Sequence, residues 1–404
     1  MINFLCRYYK ASKPCKFNKI DGSECPTCVH ASEFRDRILF IKLDAIGDVL
    51  RSASLLPSIV SRHNSPYLAW VTRKESVELV GLLRYVDEVI ELSEVGLARV
   101  MTGGWDYVYS LSNDWPSASI ASAAQSKTSP IGYYVRDGVL TPSNSAAARW
   151  LEMAAFDRLK KCNSKTYQDI MFSIVGFDCA EIPAPSLELT HDQKRAATAR
   201  ITTLFGPSTR RRVAINVGSG GRWPKKMLDV DQIYNYIQHL RKRIDVDVLL
   251  VGGAAEREKA FAVRRLCNVD HRVSIAITET SIVEFIAILT EMDVLLCGDT
   301  LALHVATAIG LPTVAVFGPT SSSESADFNG LVKKVWTDSL DCLVCYGDCA
   351  KERNCMSLID ADRLVDLTEV QLSHRLRRTA KEKDRVTAAF ASATPNCRDI
   401  VESW

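Results

Sequence analysis

The chain has 404 residues, 47% hydrophobic and 24% charged, with a formal net charge of +2. That length allows two domains with additions and the balance suits a soluble globular protein, while the small net charge gives no reason to expect nucleic acid as a partner, since a phosphate track leaves a concentrated basic excess. No apolar run reaches the roughly 20 residues that cross a bilayer, and the opening MINFLCRYYK lacks the apolar core and cleavage pattern of a signal peptide, so the expectation is a cytoplasmic protein with at most peripheral membrane contact.

An arm, residues 1–37, carries Cys6, Cys15, Cys25 and Cys28. A buried strand then runs from Arg37 to Lys42 and passes directly into Leu43-Asp44-Ala45-Ile46-Gly47-Asp48, a turn that enters a helix from Val49 to about Arg62. Strands are expected at Tyr67–Thr72, Glu88–Leu92, Tyr107–Leu111 and Ser129–Tyr133, with a helix at 74–83. Strands and helices alternating at this length predict a parallel doubly wound sheet for residues 38–185. Residues from Arg149 to about Phe177 have helical spacing, and Pro183-Ala184-Pro185 reads as a linker.

A second series, residues 186–340, starts with the strand Arg212–Val217. The glycine-rich loop Gly218-Ser219-Gly220-Gly221 follows, then a helix from Asp229 to about Arg243, a strand over Val246–Gly253 and a helix from Ala255 to Cys267. Residues 291–320, EMDVLLCGDTLALHVATAIGLPTVAVFGPT, complete the series as one βαβ unit. Its strands, Val294–Leu296 and Val314–Phe317, are apolar throughout, as strands covered on both faces should be. Between them Asp299-Thr300 opens a helix from Leu301 to Ile309, whose free N–H groups and dipole favour an anion. Thr300 is placed to cap it and His304 lies one turn in. Gly318-Pro319-Thr320 ends the next strand on the same side, where open α/β sheets bind ligands.

Two Rossmann-like halves leave an interdomain cleft, the usual place for a ligand. From the first half Asp48, at the carboxyl end of its first strand, could take a proton from a hydroxyl, an effect worth roughly 10² to 10⁴ in rate. Lys42 would be odd to bury unless paired with Asp44 or Asp48. In the second half the loop Gly218-Ser219-Gly220-Gly221-Arg222-Trp223-Pro224-Lys225-Lys226 lets backbone N–H groups approach a ligand while a lysine supplies charge to a phosphate. Neither a Walker sequence nor G-x-G-x-x-G opens either sheet, which disfavours nucleotide triphosphate hydrolysis and nicotinamide chemistry.

Past residue 340, Cys342-x-x-Cys345-x₃-Cys349-x₅-Cys355 puts four thiols within 14 residues. In a reducing compartment such clusters read as metal ligands before disulfides, and four thiolates suit tetrahedral zinc or iron. The arm cysteines form a looser version. With every valence filled by protein, either metal would be structural. Ser357 to about Lys383 has helical character, closing a region 341–404 made of a cysteine knot and a helix.

ILFIKLDAIGDVL from Ile38, the GSGGRWPKK loop and GDTLALHVATAIGLPTVAVFGPT resemble the three signatures of the ADP-heptose heptosyltransferases, glycosyltransferase family 9, over residues 37 to 340. The resemblance implies the GT-B architecture, two facing Rossmann-like domains, here with cysteine-rich metal-binding additions at both ends. It implies inverting transfer of a heptose from ADP-heptose to an acceptor hydroxyl without a catalytic metal, on lipopolysaccharide core, a protein or a small molecule. By that resemblance Asp48 is the catalytic base. Lys226 and the Thr300 helix terminus hold the diphosphate, and Asp299 and His304 complete the donor pocket. Ser219 and the amides at Thr300 and Leu301 add donors, with Gly218 and Gly220 acting through backbone. The family often reads W-P-x-K-R-W where this chain has Trp223-Pro224-Lys225-Lys226-Met227-Leu228, so Lys225 and Lys226 both remain candidates. Protein-modifying heptosyltransferases similar to this chain carry cysteine-bound iron near the carboxyl end. A GT-B enzyme for another nucleotide sugar, an epimerase, and a non-catalytic metal-knotted binding protein are the competing expectations. Trp115, Arg136 and Arg149 are expected on the acceptor side.

Overall fold

Short apolar runs at the head of each half become strands covered on both faces, and these set the two sheets. The computed structural model describes residues 1–11, 13–178, 181–218, 226–278, 281–340, 342–347 and 349–385. The chain divides into two units, one of Met1–Ala155 with Gln168–Pro183 and the other of Phe156–Tyr167 with Ala184–Trp404.

The first unit opens with α1 (Lys16–Asp21) in the arm and continues with β1 (Arg37–Ile41), α2 (Ile46–Ser52), α3 (Leu56–Arg62), β2 (Tyr67–Thr72), α4 (Val77–Val80), β3 (Glu88–Glu91), α5 (Glu94–Met101), β4 (Tyr107–Ser110), α6 (Trp115–Ala123), β5 (Ile131–Arg136) and β6 (Val139–Pro142). The strands lie in the order β3-β2-β1-β4-β5-β6. Ile38, Leu39, Phe40 and Ile41 are fully buried in β1, and every residue of β2 is buried. The expected all-parallel sheet is corrected at its edge, because β6 returns antiparallel to β5. Asp137 and Gly138 make the turn at φ of 50° and 73°, the left-handed pair that a two-residue hairpin of matching twist requires. The single helix expected over 49–62 is also corrected. A 3-10 turn at Ala53–Leu55 separates α2 from α3, and Pro57 near the start of α3 explains the break, since it has no N–H to give to the preceding turn.

The arm docks on the amino ends of these strands, opposite the end where ligands bind. Cys6 forms an antiparallel bridge with Glu33, and Arg7 donates to Asp87 at 3.2 Å and to the Pro66 carbonyl at 3.3 Å. Burial there raises the Asp87 pKa against the opposing pull of the Leu68 N–H and Arg7.

The helical stretch expected over 149–177 is three helices, α7 (Ser145–Ala155), α8 (Asp157–Lys161) and α9 (Tyr167–Val175); α8 belongs to the second unit and nearly all of α9 to the first. The second unit continues with α10 (His191–Phe205), β7 (Arg211–Asn216), α11 (Val230–Arg243), β8 (Val246–Gly252), α12 (Arg257–Leu266), β9 (Val273–Ile277), α13 (Ile282–Thr290), β10 (Val294–Gly298), α14 (Leu301–Ile309), β11 (Thr313–Val316), β12 (Val332–Val335) and α15 (Ala361–Arg385). Reciprocal capping boxes fix the starts of α10, Thr190 with Gln193, and α11, Asp229 with Gln232. The order β12-β11-β10-β7-β8-β9 is parallel throughout. Residues 291–320, expected to close this sheet, do not: β12 pairs outside β11 and β9 forms the other edge. Leu364, Val365 and Leu372 of α15 join the core of this same sheet, Thr368 bonds the Tyr236 hydroxyl at 2.8 Å, and Gln371 donates to the Thr313 carbonyl at 3.0 Å. No described helix is long and apolar enough to cross a membrane.

Candidate functional site

In both sheets the strand order reverses next to the first strand, between β1 and β4 and between β7 and β10. Crevices form outside the carboxyl ends of strands at such switch points. The candidate residues sit there, and each unit holds its own set.

In the first unit β1 runs into Lys42, whose ammonium is 3% exposed and 2.6 Å from Asp44. It also donates to the Leu111 carbonyl at 2.8 Å, just past β4. Asp44 accepts from the Ser112 hydroxyl at 2.5 Å, while that oxygen accepts the Leu43 N–H at 3.0 Å. Asp44 is thus a partner of Lys42, and Ser112, which the sequence reading missed, ties the β1 and β4 ends together. Asp48 lies in the first turn of α2. Val49 and Leu50 bury that helix and leave the Asp48 carboxylate a third exposed, 2.5 Å from Arg51 Nη2. A carboxylate in a first helical turn is favoured by the dipole. Trp115 stands about half exposed at the start of α6, directly after β4. Arg136 lies over the Tyr134 ring at 5.1 Å and Arg149 pairs with Glu152 at 3.4 Å.

In the second unit Lys226 Nζ lies 3.4 Å from Asp299 Oδ2 and 3.3 Å from the Asp299 carbonyl. Gly298 makes this approach possible: a Cβ there would collide with the Lys226 carbonyl oxygen. Two further groups hold the segment. Met227 and Leu228 are buried, and Lys259 donates to the Leu228 carbonyl at 2.5 Å, burial lowering the pKa of that ammonium. Gly218 plays a similar part at the end of β7, where a side chain would strike Glu256; the Glu256 carboxylate accepts from the Gly253 N–H at 2.9 Å.

Thr300 occupies the N-cap position of α14, but the expected capping bond is corrected. Its side chain makes no cap bond, and its hydroxyl instead accepts from Asn216 Nδ2 at 3.3 Å. Asn216 ends β7, so this bond crosses the switch point. The hydroxyl being engaged elsewhere, the first amides of α14, Leu301 among them, have no cap from Thr300. His304 is half-buried one turn in. Ser325 donates to Asp299 Oδ1 at 3.4 Å. Lys334 of β12, its pKa lowered by burial, donates to the Ser322 and Ser325 carbonyls at 2.8 and 2.6 Å. Asn216, Ser325, Lys334 and Glu256 carried no sequence signal. Ser219, Gly220 and Lys225 lie outside the described residues.

The cysteine additions hold the remaining candidate ligands. Cys342, Cys345 and Cys349 are close enough to raise the Cys355 pKa electrostatically, though burial is the larger cause, and all four are free thiols. Four thiols are the right donor chemistry for zinc or iron. Among the described residues, however, no three potential ligands are gathered as a metal would require. The same holds for Cys6, Cys15, Cys25 and Cys28, which are also free thiols; Cys6 bridges Glu33 through its backbone alone and Cys15 precedes α1.

Two mainly parallel α/β sheets, the second with a lysine, an acid and a helix terminus at its switch point, define a protein of two Rossmann-like domains. The chain belongs to glycosyltransferase family 9 (heptosyltransferase), whose sequence model matches residues 97–355, well over half its length. A solved glycosyl transferase family 9 protein from Veillonella parvula is similar at a TM-score of 0.69 and 15% identity, covering 84% of this chain and 98% of that one. The E. coli ADP-heptose lipopolysaccharide heptosyltransferase II gives 0.62 and 17%, covering 84% and 99%. E. coli heptosyltransferase WaaC, solved with ADP, gives 0.53 and 16%, covering 84% and 98%. These likenesses show the GT-B type of fold. A Haemophilus influenzae protein whose name places it provisionally among the glycosyltransferases is 31% identical over 112 residues, 28% of this chain and 32% of that protein, so this chain spans about a third of that relative's length.

Proposed function

We propose that this chain transfers a heptose from ADP-heptose to an acceptor hydroxyl with inversion. The observation that carries the reading is the Lys226–Asp299 pair at the amino end of α14, an exchangeable cation beside a helix terminus. The names of the solved relatives, one described with ADP and one as an ADP-heptose enzyme, support a nucleotide sugar as donor.

In this reading the diphosphate takes the place of Asp299 on Lys226 and accepts from the α14 amides. Fixed donors aimed at a leaving group that gains charge lower the barrier without reorganising. Asp48 removes the acceptor proton as the hydroxyl attacks the anomeric carbon from the face opposite the diphosphate, through an oxocarbenium-like state of the kind known in glycoside hydrolysis. Arg51 keeps the carboxylate oriented until then. Leaving-group charge is met by Lys226 and backbone amides, so the proposed chemistry uses no catalytic metal. The acceptor is lipopolysaccharide core, a protein hydroxyl or a small molecule.

The test combines purified protein with ADP-heptose and an acceptor-containing lysate, reading ADP release and, by mass spectrometry, the product. ADP should bind in calorimetry and a heptosylated product of inverted anomeric configuration should appear. Failure of both ADP and ADP-heptose to bind would remove the donor assignment.

We also propose a structural zinc or iron on Cys342, Cys345, Cys349 and Cys355, which would require the four sulfurs to close on one centre; the arm cysteines are a second candidate set. Support comes from the thiol spacing and from Cys342, Cys345 and Cys349 each lying near enough to Cys355 to act on its thiol. Elemental analysis showing neither metal in protein purified without chelator would end that proposal.

A further inference from the structure

The carboxyl-side cysteine segment reaches the donor end of the second sheet through a residue that no motif marks. Tyr346 sends its backbone N–H to the Pro319 carbonyl at 2.8 Å, while Val344 sends its own to the Gly318 carbonyl at 3.0 Å. The Tyr346 hydroxyl accepts from the Ser321 N–H at 3.3 Å and donates to Glu324 Oε1 at 3.1 Å. Lys160 of α8 lies over the Tyr346 ring at 4.1 Å, and the Tyr167 N–H donates to the Glu324 carbonyl at 3.0 Å. Two separate parts of the chain therefore converge on residues 318–324.

This loop ends at Ser325, whose hydroxyl meets Asp299, the acid beside Lys226. Lys334 fixes its far side through the Ser322 and Ser325 carbonyls. Gly318 is pressed against the same segment, since a Cβ there would lie 2.5 Å from Cys355 Sγ. Val344 and Tyr346 hold φ of 58° and 48°, values that residues with side chains, and β-branched ones above all, avoid unless the surroundings impose them.

We propose that Tyr346 is a positioning residue that clamps the 318–325 loop in its ligand-ready form, so that Ser325, Asp299 and Lys226 are arranged before the donor's diphosphate arrives. The proposal rests on the donor reading above. Its physical basis is preorganisation: a loop already ordered costs the incoming ligand no conformational entropy.

The experiment uses the full chain and follows amide hydrogen exchange, with calorimetric binding of ADP, in wild type, Tyr346→Phe and Glu324→Gln. Tyr346→Phe should speed exchange at the Ser321 amide in the ligand-free protein, with β8 protection unchanged, and weaken ADP roughly tenfold, the scale of a lost bond to a charged group. Glu324→Gln keeps an acceptor for the phenol and should stay within about threefold of wild type. Unchanged Ser321 exchange, faster exchange throughout the second sheet, or ADP affinity within about twofold of wild type for Tyr346→Phe each overturns the clamp. Wild type that binds no ADP defeats the donor reading and with it the ligand half of the proposal, while Ser321 exchange still decides whether Tyr346 holds the loop.

Discussion

The turns at the two switch points use the same residue types for opposite ends. In the first unit a lysine 3% exposed sits 2.6 Å from Asp44 and also caps a carbonyl of the neighbouring strand's loop. In the second a lysine 16% exposed sits 3.4 Å from Asp299. A short pair whose lysine is buried and doubly bonded is locked, because removing Asp44 strands that ammonium away from water. A longer pair is more weakly held and can exchange its acid for a ligand phosphate. Each switch point is also crossed by a side-chain bond, Ser112 to Asp44 at 2.5 Å in one and Asn216 to Thr300 at 3.3 Å in the other. The tighter turn serves the fold and leaves the proposed reactivity to Asp48 on the next helix. The looser one is itself the proposed binding element.

The comparison breaks most visibly at Asp48. Asp48→Asn should lower kcat by about 10² to 10⁴ while calorimetric ADP affinity stays unchanged, since the donor elements lie in the other unit's sequence. Turnover equal to wild type would remove the base assignment. Next in size is the locked lysine. Lys42→Met leaves Asp44 without its buried cation and should cost about 3 kcal/mol in denaturant unfolding; a loss under about 1 kcal/mol would mean the pair is no tighter than a surface one.

Lys226→Gln should behave in the opposite way. Unfolding stability should change by less than about 1 kcal/mol, and ADP affinity should fall roughly 10- to 100-fold. A stability loss as large as that of Lys42→Met would erase the distinction between the two turns.

The smallest effect belongs to the first unit alone. The His63 side chain is 5% exposed, 2.7 Å from the Tyr109 hydroxyl, and burial lowers its pKa from 6.5 while pushing that of Tyr109 up to about 12. Because the unfolded chain binds the proton more readily, this group has no effect on stability well above pH 6.5 and costs stability as pH falls through 6.5 toward the folded value. Wild type should therefore lose stability as pH falls below about 7, and His63→Gln should flatten the curve. An identical slope in both would show that His63 is not the titrating group.

Much of the fold was legible because apolar runs such as Ile38–Ile41 and Val294–Leu296 are buried on both faces and announce themselves without partners. The β5–β6 hairpin was legible too, in Asp137-Gly138, yet reading for βα alternation passed over it. Edge strands were harder: β12 alternates Val332-Lys333-Lys334-Val335, and such a pattern becomes a strand only when β11 is beside it. Helix punctuation was partly visible, since Pro57 marked the break that the helical spacing of 49–62 concealed.

By itself the sequence determined two βα series, the acid at 48, the acid and helix start at 299–300, and lysines near 226, because each rests on local spacing and on the amides that any helix start exposes. Tertiary structure alone decided which lysine is locked and which is loosely held, as that depends on burial and on partners such as Ser112 and Asn216, 68 and 84 residues from the groups they bond. It also decided that Thr300 spends its hydroxyl across the switch point instead of on its own helix, and that Tyr346 meets Ser321 and Glu324. Hydrogen bonds are made by neighbours in space, and a sequence orders only neighbours along the chain.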